Sequence, residues 1–205
     1  MIPCVVYITA VSFTSQLQLL WKHNLRHSDC VLEFFDNNRL EMTAKRLGIE
    51  NAVNSVIPMP FKVDLWKYAL LHEKGGIYID ADMELTTPPE NIFNLSSSKL
   101  QIISNECVYT SIFAAPPKAN DLNKALKHAI SNVESRSYGY SDSEALPWYG
   151  ITGQCTFAKS IVDFMSVGVE DGCVFVNNKR VACKTRHHTG EASYTSLWNQ
   201  RAIYT

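Results

Sequence analysis

The stretch that decides the fold spans residues 61–85 and reads FKVDLWKYALLHEKGGIYIDADMEL. Residues 61–74 carry apolar side chains at helical spacing, which predicts a helix broken by the two glycines Gly75 and Gly76. The apolar run 77–79 then predicts a short buried strand. Three carboxylates follow at alternating positions, and in an extended segment they are expected to share one face: Asp80, Asp82 and Glu84.

The segments on either side of this stretch alternate between strand and helix patterns. Before it, the residue types predict strands at 4–9 and 31–35 and helices at 15–25 and 38–47. After it, they predict strands at 100–104 and 109–114, a helix from Asn120, a loop at 135–148, a helix at 155–165 and a hairpin at 172–183. This order predicts a single α/β domain over residues 1–205, with a Rossmann-like, mostly parallel central sheet, flanking helices and a small antiparallel element. The alternative that this domain belongs to a longer multidomain chain stays open.

Charge and composition disfavour several classes of protein. The net charge is −1, from 19 basic and 20 acidic residues that are dispersed along the chain. We therefore expect no nucleic-acid partner. The apolar N-terminus has no basic region and is interrupted by Pro3 and Ser12, so we expect a buried strand there, with no signal peptide or transmembrane segment. A cytoplasmic protein is the resulting expectation.

Six cysteines are spread along the chain without a C-x-x-C pair, which argues against a zinc knuckle or a thioredoxin-like site. Cys30 and Cys173 lie in apolar segments. Reduced, buried thiols in a reducing compartment are the expectation.

The charge at the end of the predicted strand suggests a metal site. Packed carboxylates have raised pKa values unless a cation neutralises them, and Mg²⁺ or Mn²⁺ prefers oxygen ligands, including those of phosphates. In open parallel sheets, ligands bind beyond the carboxyl ends of the strands, where Asp80 and Asp82 are expected. A solvated acidic loop is the alternative. Asp64 and Lys67 share a helix face, and either a surface ion pair or a contact with a sugar or phosphate fits their spacing.

Residues 61–85 resemble the sugar-binding DXD region of the family 32 glycosyltransferases, a pattern shared with the large clostridial glucosylating toxins. The shared elements are Asp-x-x-Arg on a helix and then Gly-Gly-x-Tyr-x-Asp-x-Asp; here Lys67 replaces the arginine, which keeps the charge but loses bidentate geometry. Weaker likenesses are the Thr152-Gly153 turn and the His187-His188 segment, which resembles the family's late His-His…Ser-Trp ending.

The resemblance implies a GT-A fold and transfer of a hexose from a nucleotide sugar, with a UDP-sugar favoured, to a hydroxyl of a glycan or other acceptor. Mn²⁺ is the expected cofactor and Mg²⁺ the second choice. The catalytic candidates are Asp80 and Asp82, and the implied metal ligands are Asp80, Asp82 and His188. Glu84 is expected to be a spectator. The implied donor contacts are Thr9, Ala10, Asp64, Lys67, Tyr78, Asp80, Ala81, Gly153 and His187.

Two other functions stay open: a metal-dependent phosphoesterase or nucleotide hydrolase, and a non-catalytic nucleotide-sugar-binding module. Retention or inversion of stereochemistry is also undecided. An inverting enzyme needs a general base, for which Glu106, Asp142 and Glu144 are candidates. Aromatic residues near the predicted loop either stack on a sugar or anchor the loop: Tyr138, Tyr140, Trp148 and Tyr149.

Overall fold

The computed structural model describes residues 1–104, 108–138, 151–153, 156–157, 165–166, 168–170, 172–185 and 194–205. Within these segments the helices are α1 Ser15–Asn24, α2 Asn37–Arg46, α3 Glu50–Asn54, α4 Met59–Lys74, α5 Pro89–Ile92, α6 Asn120–Glu134 and α7 Tyr194–Asn199. The strands are β1 Val5–Thr9, β2 Val31–Phe35, β3 Gly76–Ile79, β4 Met83–Leu85, β5 Gln101–Ser104, β6 Val108–Ala115, β7 Met165–Ser166, β8 Gly168–Glu170, β9 Cys173–Val176 and β10 Lys179–Lys184.

The main sheet has six strands in the order β2-β1-β3-β6-β5-β7. Strand β1 pairs in parallel with β2 and β3, and β5 pairs in parallel with β7, whereas β6 is antiparallel to both of its neighbours. The predicted mostly parallel α/β sheet is therefore confirmed. Because β1, β2 and β3 run the same way, their carboxyl ends meet at one edge, and Asp80 follows β3 at that edge.

A second, antiparallel sheet contains β4, β10, β9 and β8 in that order, which confirms the predicted small antiparallel element. The hairpin of β9 and β10 turns at Asn177 and Asn178, whose φ angles are 51° and 60°. Two consecutive residues with positive φ are typical of the tight turn that joins antiparallel strands, and asparagine tolerates this conformation. Strand β4 begins only four residues after β3 ends, so the second sheet starts directly beside the carboxyl edge of the first.

Apolar side chains fill both faces of the main sheet, as a doubly wound architecture requires. On β3, Tyr78 packs into a core with α2, α3, α4 and α6, while its neighbours Ile77 and Ile79 pack into a core with α1, α5 and the second sheet. Helix α4 buries nine of its side chains, so it is surrounded rather than amphipathic. The most buried helix is thus joined directly to the central strand.

The two glycines at the junction of α4 and β3 are required by close packing. Gly75 and Gly76 have φ angles of 67° and 116°. A Cβ on Gly75 would lie 2.6 Å from Pro117, and one on Gly76 would lie 2.6 Å from the Tyr7 ring and 3.0 Å from the Val5 carbonyl oxygen. Helix α4 can therefore pass into β3 beside β1 only where side chains are absent.

Two disulfides contradict the expectation of reduced thiols for four of the six cysteines. Cys4 is bonded to Cys30, and Cys173 is bonded to Cys183. The register explains both bonds: Val5 lies opposite Val31, which brings the preceding cysteines together, and Cys173 lies directly opposite Cys183. The pairing depends on strand register, which cysteine spacing alone does not reveal.

Smaller differences concern element ends. Helix α6 has Ala119 at its N-cap instead of Asn120, and Met165 begins strand β7 instead of ending a helix. Most of the predicted loop at 135–148 and helix at 155–165 lies outside the described residues. No described helix combines the length and the apolar character needed to cross a membrane.

Substitution of Gly76 by alanine tests the close packing of β3 on β1. We expect Gly76→Ala to lower the free energy of unfolding by about 3 kcal/mol, because overpacking adds to backbone strain. Gly48→Ala is the matched control: its φ is 72°, but an added Cβ meets nothing within 4 Å. We expect it to cost about 1 kcal/mol. Urea unfolding measures both, and equal losses would contradict the steric explanation.

Candidate functional site

The acidic residues after β3 lie in a turn. The Met83 amide donates to the Asp80 carbonyl oxygen at 3.1 Å, so the chain reverses between the main sheet and the second sheet. The expectation that Asp80, Asp82 and Glu84 share one face of an extended segment is therefore wrong. Asp80 is the first residue of the turn and Asp82 the third, whereas Glu84 lies on β4 with its side chain exposed to solvent. We call residues 80–83 the carboxylate turn.

Side chains from distant parts of the chain hold the backbone of the carboxylate turn. The Trp21 indole donates to the Ala81 carbonyl oxygen at 3.0 Å. The Asn24 side chain donates to the Met83 carbonyl oxygen at 2.8 Å and accepts from the Leu85 amide at 2.9 Å. Trp21 and Asn24 are both buried in α1. The helix therefore fixes the turn before any ligand is bound, which is the preorganisation that a binding site needs.

The third anchor comes from the end of β10. Thr185 donates to the Asp82 carbonyl oxygen from its amide at 2.7 Å and from its hydroxyl at 2.8 Å. Lys184, the last residue of β10, pairs with Met83 of β4. The four carbonyl oxygens of the carboxylate turn thus all accept hydrogen bonds from this chain. What the turn presents to a ligand is its two carboxylates on a fixed backbone.

The two oxygens of the Asp80 carboxylate have different partners. Oδ1 accepts from the Tyr78 hydroxyl at 2.9 Å, and Oδ2 lies 3.4 Å from Lys184 Nζ. Burial raises the pKa of Tyr78 well above its ordinary value, and the negative charge of Asp80 raises it further. The phenol therefore stays protonated and donates to Asp80. Thr9, at the carboxyl end of β1, also hydrogen-bonds Tyr78.

Asp64 and Lys67 form a buried pair, so the interpretation of these residues as a surface ion pair is wrong. Lys67 Nζ lies 2.6 Å from Asp64 Oδ1, and the two side chains are only 4% and 12% exposed. Thr152 donates to Asp64 Oδ2 at 3.0 Å. Burial raises the pKa of Asp64, and the Lys67 charge and the Thr152 hydroxyl oppose that shift. The pair ties α4 to the segment that contains Thr152.

The Lys67 ammonium also reaches the main sheet. It donates to the Thr110 carbonyl oxygen of β6 at 3.1 Å and lies 4.9 Å from the centroid of the Tyr78 ring. A cation over an aromatic face is attracted by the ring quadrupole. Lys67 therefore contacts the residue that orients Asp80, which connects the buried pair to the carboxylate turn.

The remaining predicted site residues are distributed as follows. Ala10 directly follows β1, beside Thr9. Gly153 is buried next to Thr152, and its carbonyl oxygen accepts from the Phe157 amide. Tyr138 packs against Tyr204 and Arg201 near the C-terminus. The other predicted residues lie outside the described residues: His187, His188, Glu106, Asp142, Glu144, Tyr140, Trp148 and Tyr149.

The carboxylate turn fits a hard divalent cation. Asp80 and Asp82 are partly exposed, and carboxylate oxygens are the ligands that Mg²⁺ and Mn²⁺ accept. Within the described residues, one group of three potential ligands lies elsewhere: Cys4, Cys30 and Glu90. Its two sulfurs are bonded to each other, so it offers no thiolate pair to a metal.

Four residues that hold the carboxylate turn were not found from the sequence: Trp21, Asn24, Lys184 and Thr185. The helix at 15–25 was predicted, but the contact of its residue Trp21 with the carboxylate turn was not. The hairpin was predicted only as far as Cys183, one residue short of Lys184, and its pairing with β4 was not predicted. A polar residue such as Asn24 at a core-facing helix position is the one signal that could have indicated a partner.

The comparisons with known proteins concern the fold and one segment of the sequence. The fold is similar to that of the PaToxG Glycosyltransferase, with a TM-score of 0.53 and 13% identity over 78% of this chain and 67% of that one. A family model described as a glycosyltransferase sugar-binding region containing a DXD motif matches residues 11–107. No curated protein sequence matches the chain. The resemblance to DXD-containing glycosyltransferases with a GT-A fold is therefore confirmed.

Asn24 offers a test of how the carboxylate turn is held. We expect Asn24→Ala to lower the free energy of unfolding by about 3 kcal/mol, because a buried carbonyl and a buried amide each lose a partner. Gln18→Ala, on the same helix, removes an exposed hydrogen bond to the Phe13 carbonyl and is expected to cost at most about 0.5 kcal/mol. Urea unfolding measures both variants. Similar small losses would show that Asn24 does not anchor the turn.

Proposed function

We propose that residues 1–205 form one domain of a metal-dependent glycosyltransferase that transfers a hexose from a nucleotide sugar to an acceptor hydroxyl. A UDP-sugar is the favoured donor, and a glycan the favoured acceptor. The observation that carries this proposal is the carboxylate turn: two acidic side chains on a fixed backbone, at the carboxyl edge of parallel strands and inside the segment that matches the family model.

In this proposal Asp80 and Asp82 hold the cation, with Mn²⁺ favoured over Mg²⁺, and His188 is the candidate for a third ligand. When bound, the cation stabilises the charge that develops on the diphosphate leaving group. Tyr78 orients Asp80 through its hydroxyl, and Thr185 fixes the backbone of Asp82. These contacts hold the Asp80 carboxylate and the backbone of Asp82, which reduces the reorganisation needed when the glycosidic bond breaks.

The buried pair supplies the donor-sugar contact in the proposal. The Asp64 carboxylate keeps acceptor capacity beyond its bonds to Lys67 and Thr152, and its side chain is 12% exposed, so we assign a donor-sugar hydroxyl to it. Lys67 is 4% exposed and is surrounded by Asp64, Thr110 and Tyr78. We therefore assign Lys67 to the positioning of Asp64. The base and ribose are assigned to the end of β1, at Thr9 and Ala10. Ala81, Gly153 and His187 are further donor contacts in the proposal, with His187 as the second choice after His188 for the metal or the diphosphate.

The two disulfides bear on where the domain works. Disulfides form and persist in oxidising compartments and are rare in the cytosol. Cys4–Cys30 joins neighbouring parallel strands and Cys173–Cys183 joins a hairpin, so both bonds belong to the sheet framework. We infer that the domain folds in an oxidising compartment, contrary to the cytoplasmic location expected from the sequence.

The Cys4–Cys30 bond can be tested by substitution. We expect the double variant Cys4→Ser/Cys30→Ser to lose about 3 kcal/mol of unfolding free energy, because the bond closes a loop with a sequence separation of 26. Urea unfolding measures the loss, and peptide mapping without reductant checks the native bond. Free thiols at both positions in the folded wild-type protein would contradict the oxidising compartment.

Asp82 tests the proposed function. We expect Asp82→Asn to lower sugar transfer at least about 100-fold, because a charged ligand of the cation is lost while the shape of the side chain is kept. The matched control is Glu84→Gln, which removes the same charge from an exposed residue two positions further on. Transfer from a panel of UDP- and GDP-sugars is measured with Mn²⁺, with Mg²⁺ and with a chelator.

Four results distinguish the alternative functions and test the metal dependence. Transfer that requires a divalent cation and fails only in the Asp82 variant supports the glycosyltransferase. Donor binding without transfer to any acceptor in a broad panel supports a binding module instead. Hydrolysis of phosphoesters that have no sugar supports a phosphoesterase, and transfer that is unchanged in chelator contradicts the metal.

A further inference from the structure

Lys184 brings a positive charge to the carboxylate turn from a part of the chain outside the family match. Its Nζ lies 3.4 Å from Asp80 Oδ2, and its side chain is 42% exposed while that of Asp80 is 25% exposed. The family model matches residues 11–107 and so does not include it. We propose that Lys184 makes the site select a divalent cation together with a diphosphate over the cation alone.

The backbone around Lys184 is fixed on both sides. The preceding residue, Cys183, is bonded to Cys173 across the hairpin. The Lys184 amide donates to the Gly172 carbonyl oxygen at 2.9 Å, and the following residue, Thr185, holds the Asp82 carbonyl oxygen with two hydrogen bonds. The ammonium is therefore delivered to Asp80 from a short and well-anchored segment. Such anchoring reduces the backbone entropy that is lost when a ligand binds next to Lys184.

Stability is a weak explanation for this ion pair. The Lys184 side chain is 42% exposed, and ion pairs that are open to solvent contribute little to folding. Asp80 already has a buried partner in Tyr78, which donates to its other oxygen. A second partner on the solvent side is not needed to orient the carboxylate. The charge of Lys184 is the property that changes what the site can bind.

The charges of the site determine the direction of the effect. The buried pair of Asp64 and Lys67 is neutral in sum, so among these described residues the carboxylate turn and Lys184 carry the net charge next to the proposed cation. Two carboxylates and one divalent cation cancel, and the ammonium then leaves the site with a net positive charge. The ammonium of Lys184 repels a cation that binds alone. Once the cation is bound, the net positive charge attracts the diphosphate of a nucleotide. Lys184 thereby opposes the first event and favours the second.

The inference rests on the proposed function and is tested by two binding measurements on the folded protein. Mn²⁺ is titrated alone, and UDP and GDP are titrated in saturating Mn²⁺, all at one ionic strength because salt screens exposed charges. We expect Lys184→Met to bind Mn²⁺ alone about threefold to tenfold more tightly and the better of the two nucleotides about threefold to tenfold more weakly. Lys184→Arg keeps the charge and is expected to restore both values.

Lys179→Met is the matched control. Lys179 is the exposed first residue of β10, at the opposite end of the strand, and its substitution is expected to change neither affinity. A merely structural role of Lys184 would weaken both affinities and lower Tm, whereas the proposed role moves them in opposite directions at constant Tm.

The outcomes separate this inference from the proposed function. If the Lys184→Met variant binds Mn²⁺ and the nucleotides as tightly as the wild-type protein, the role of Lys184 is overturned. The proposed function then stays intact. Equal effects of Lys179→Met and Lys184→Met would also overturn it. A wild-type protein that binds neither Mn²⁺ nor either nucleotide would overturn the proposed function, and the inference with it.

Discussion

The carboxylate turn depends on hydrogen bonds to its own backbone. Two acidic side chains separated by one residue repel each other, so electrostatics alone favours a turn that opens. Donors from α1 and from the end of β10 hold its carbonyl oxygens instead, at Ala81, Asp82 and Met83. Because these donors come from segments that are 60 and 103 residues away along the chain, the turn forms only when the whole fold has formed. The geometry of the site is therefore a product of tertiary structure.

Burying the charged pair of Asp64 and Lys67 in the core costs free energy. Burying two charges removes them from water, and apolar residues of similar size would often give equal or greater stability. The pair is also satisfied beyond its own contact, by Thr152 on one side and Thr110 on the other. A network with these partners fixes where Lys67 lies over Tyr78. We therefore regard the fixed position that the pair gives to Lys67 over Tyr78, and not a contribution to stability, as the reason why the pair lies next to the site.

The sequence predicted the parts of the fold that depend on local patterns. Strand β2 and the order of strands and helices through β3, except for the short helix α3, follow from apolar periodicity, and the tight turn at Asn177 and Asn178 follows from residue types that tolerate positive φ. The prediction that Asp80, Asp82 and Glu84 share one face was wrong because it assumed that the strand continues beyond Ile79. Whether a chain continues or turns after three buried apolar residues depends on partners such as Trp21 and Asn24, which lie 59 to 60 residues away.

The disulfides and the role of β10 were not predicted from the sequence for a related reason. Strand register brought Cys4 to Cys30 and Cys173 to Cys183, and register is set by pairing that spacing does not encode.

The same pairing places Lys184 and Thr185 beside Asp80 and Asp82, far outside residues 11–107. A segment cut at residue 107 would keep both carboxylates but lose the donors to the Asp82 carbonyl oxygen and the cation next to Asp80. The motif therefore supplies the ligands of the site, whereas the disulfide-bonded hairpin supplies part of its geometry and charge.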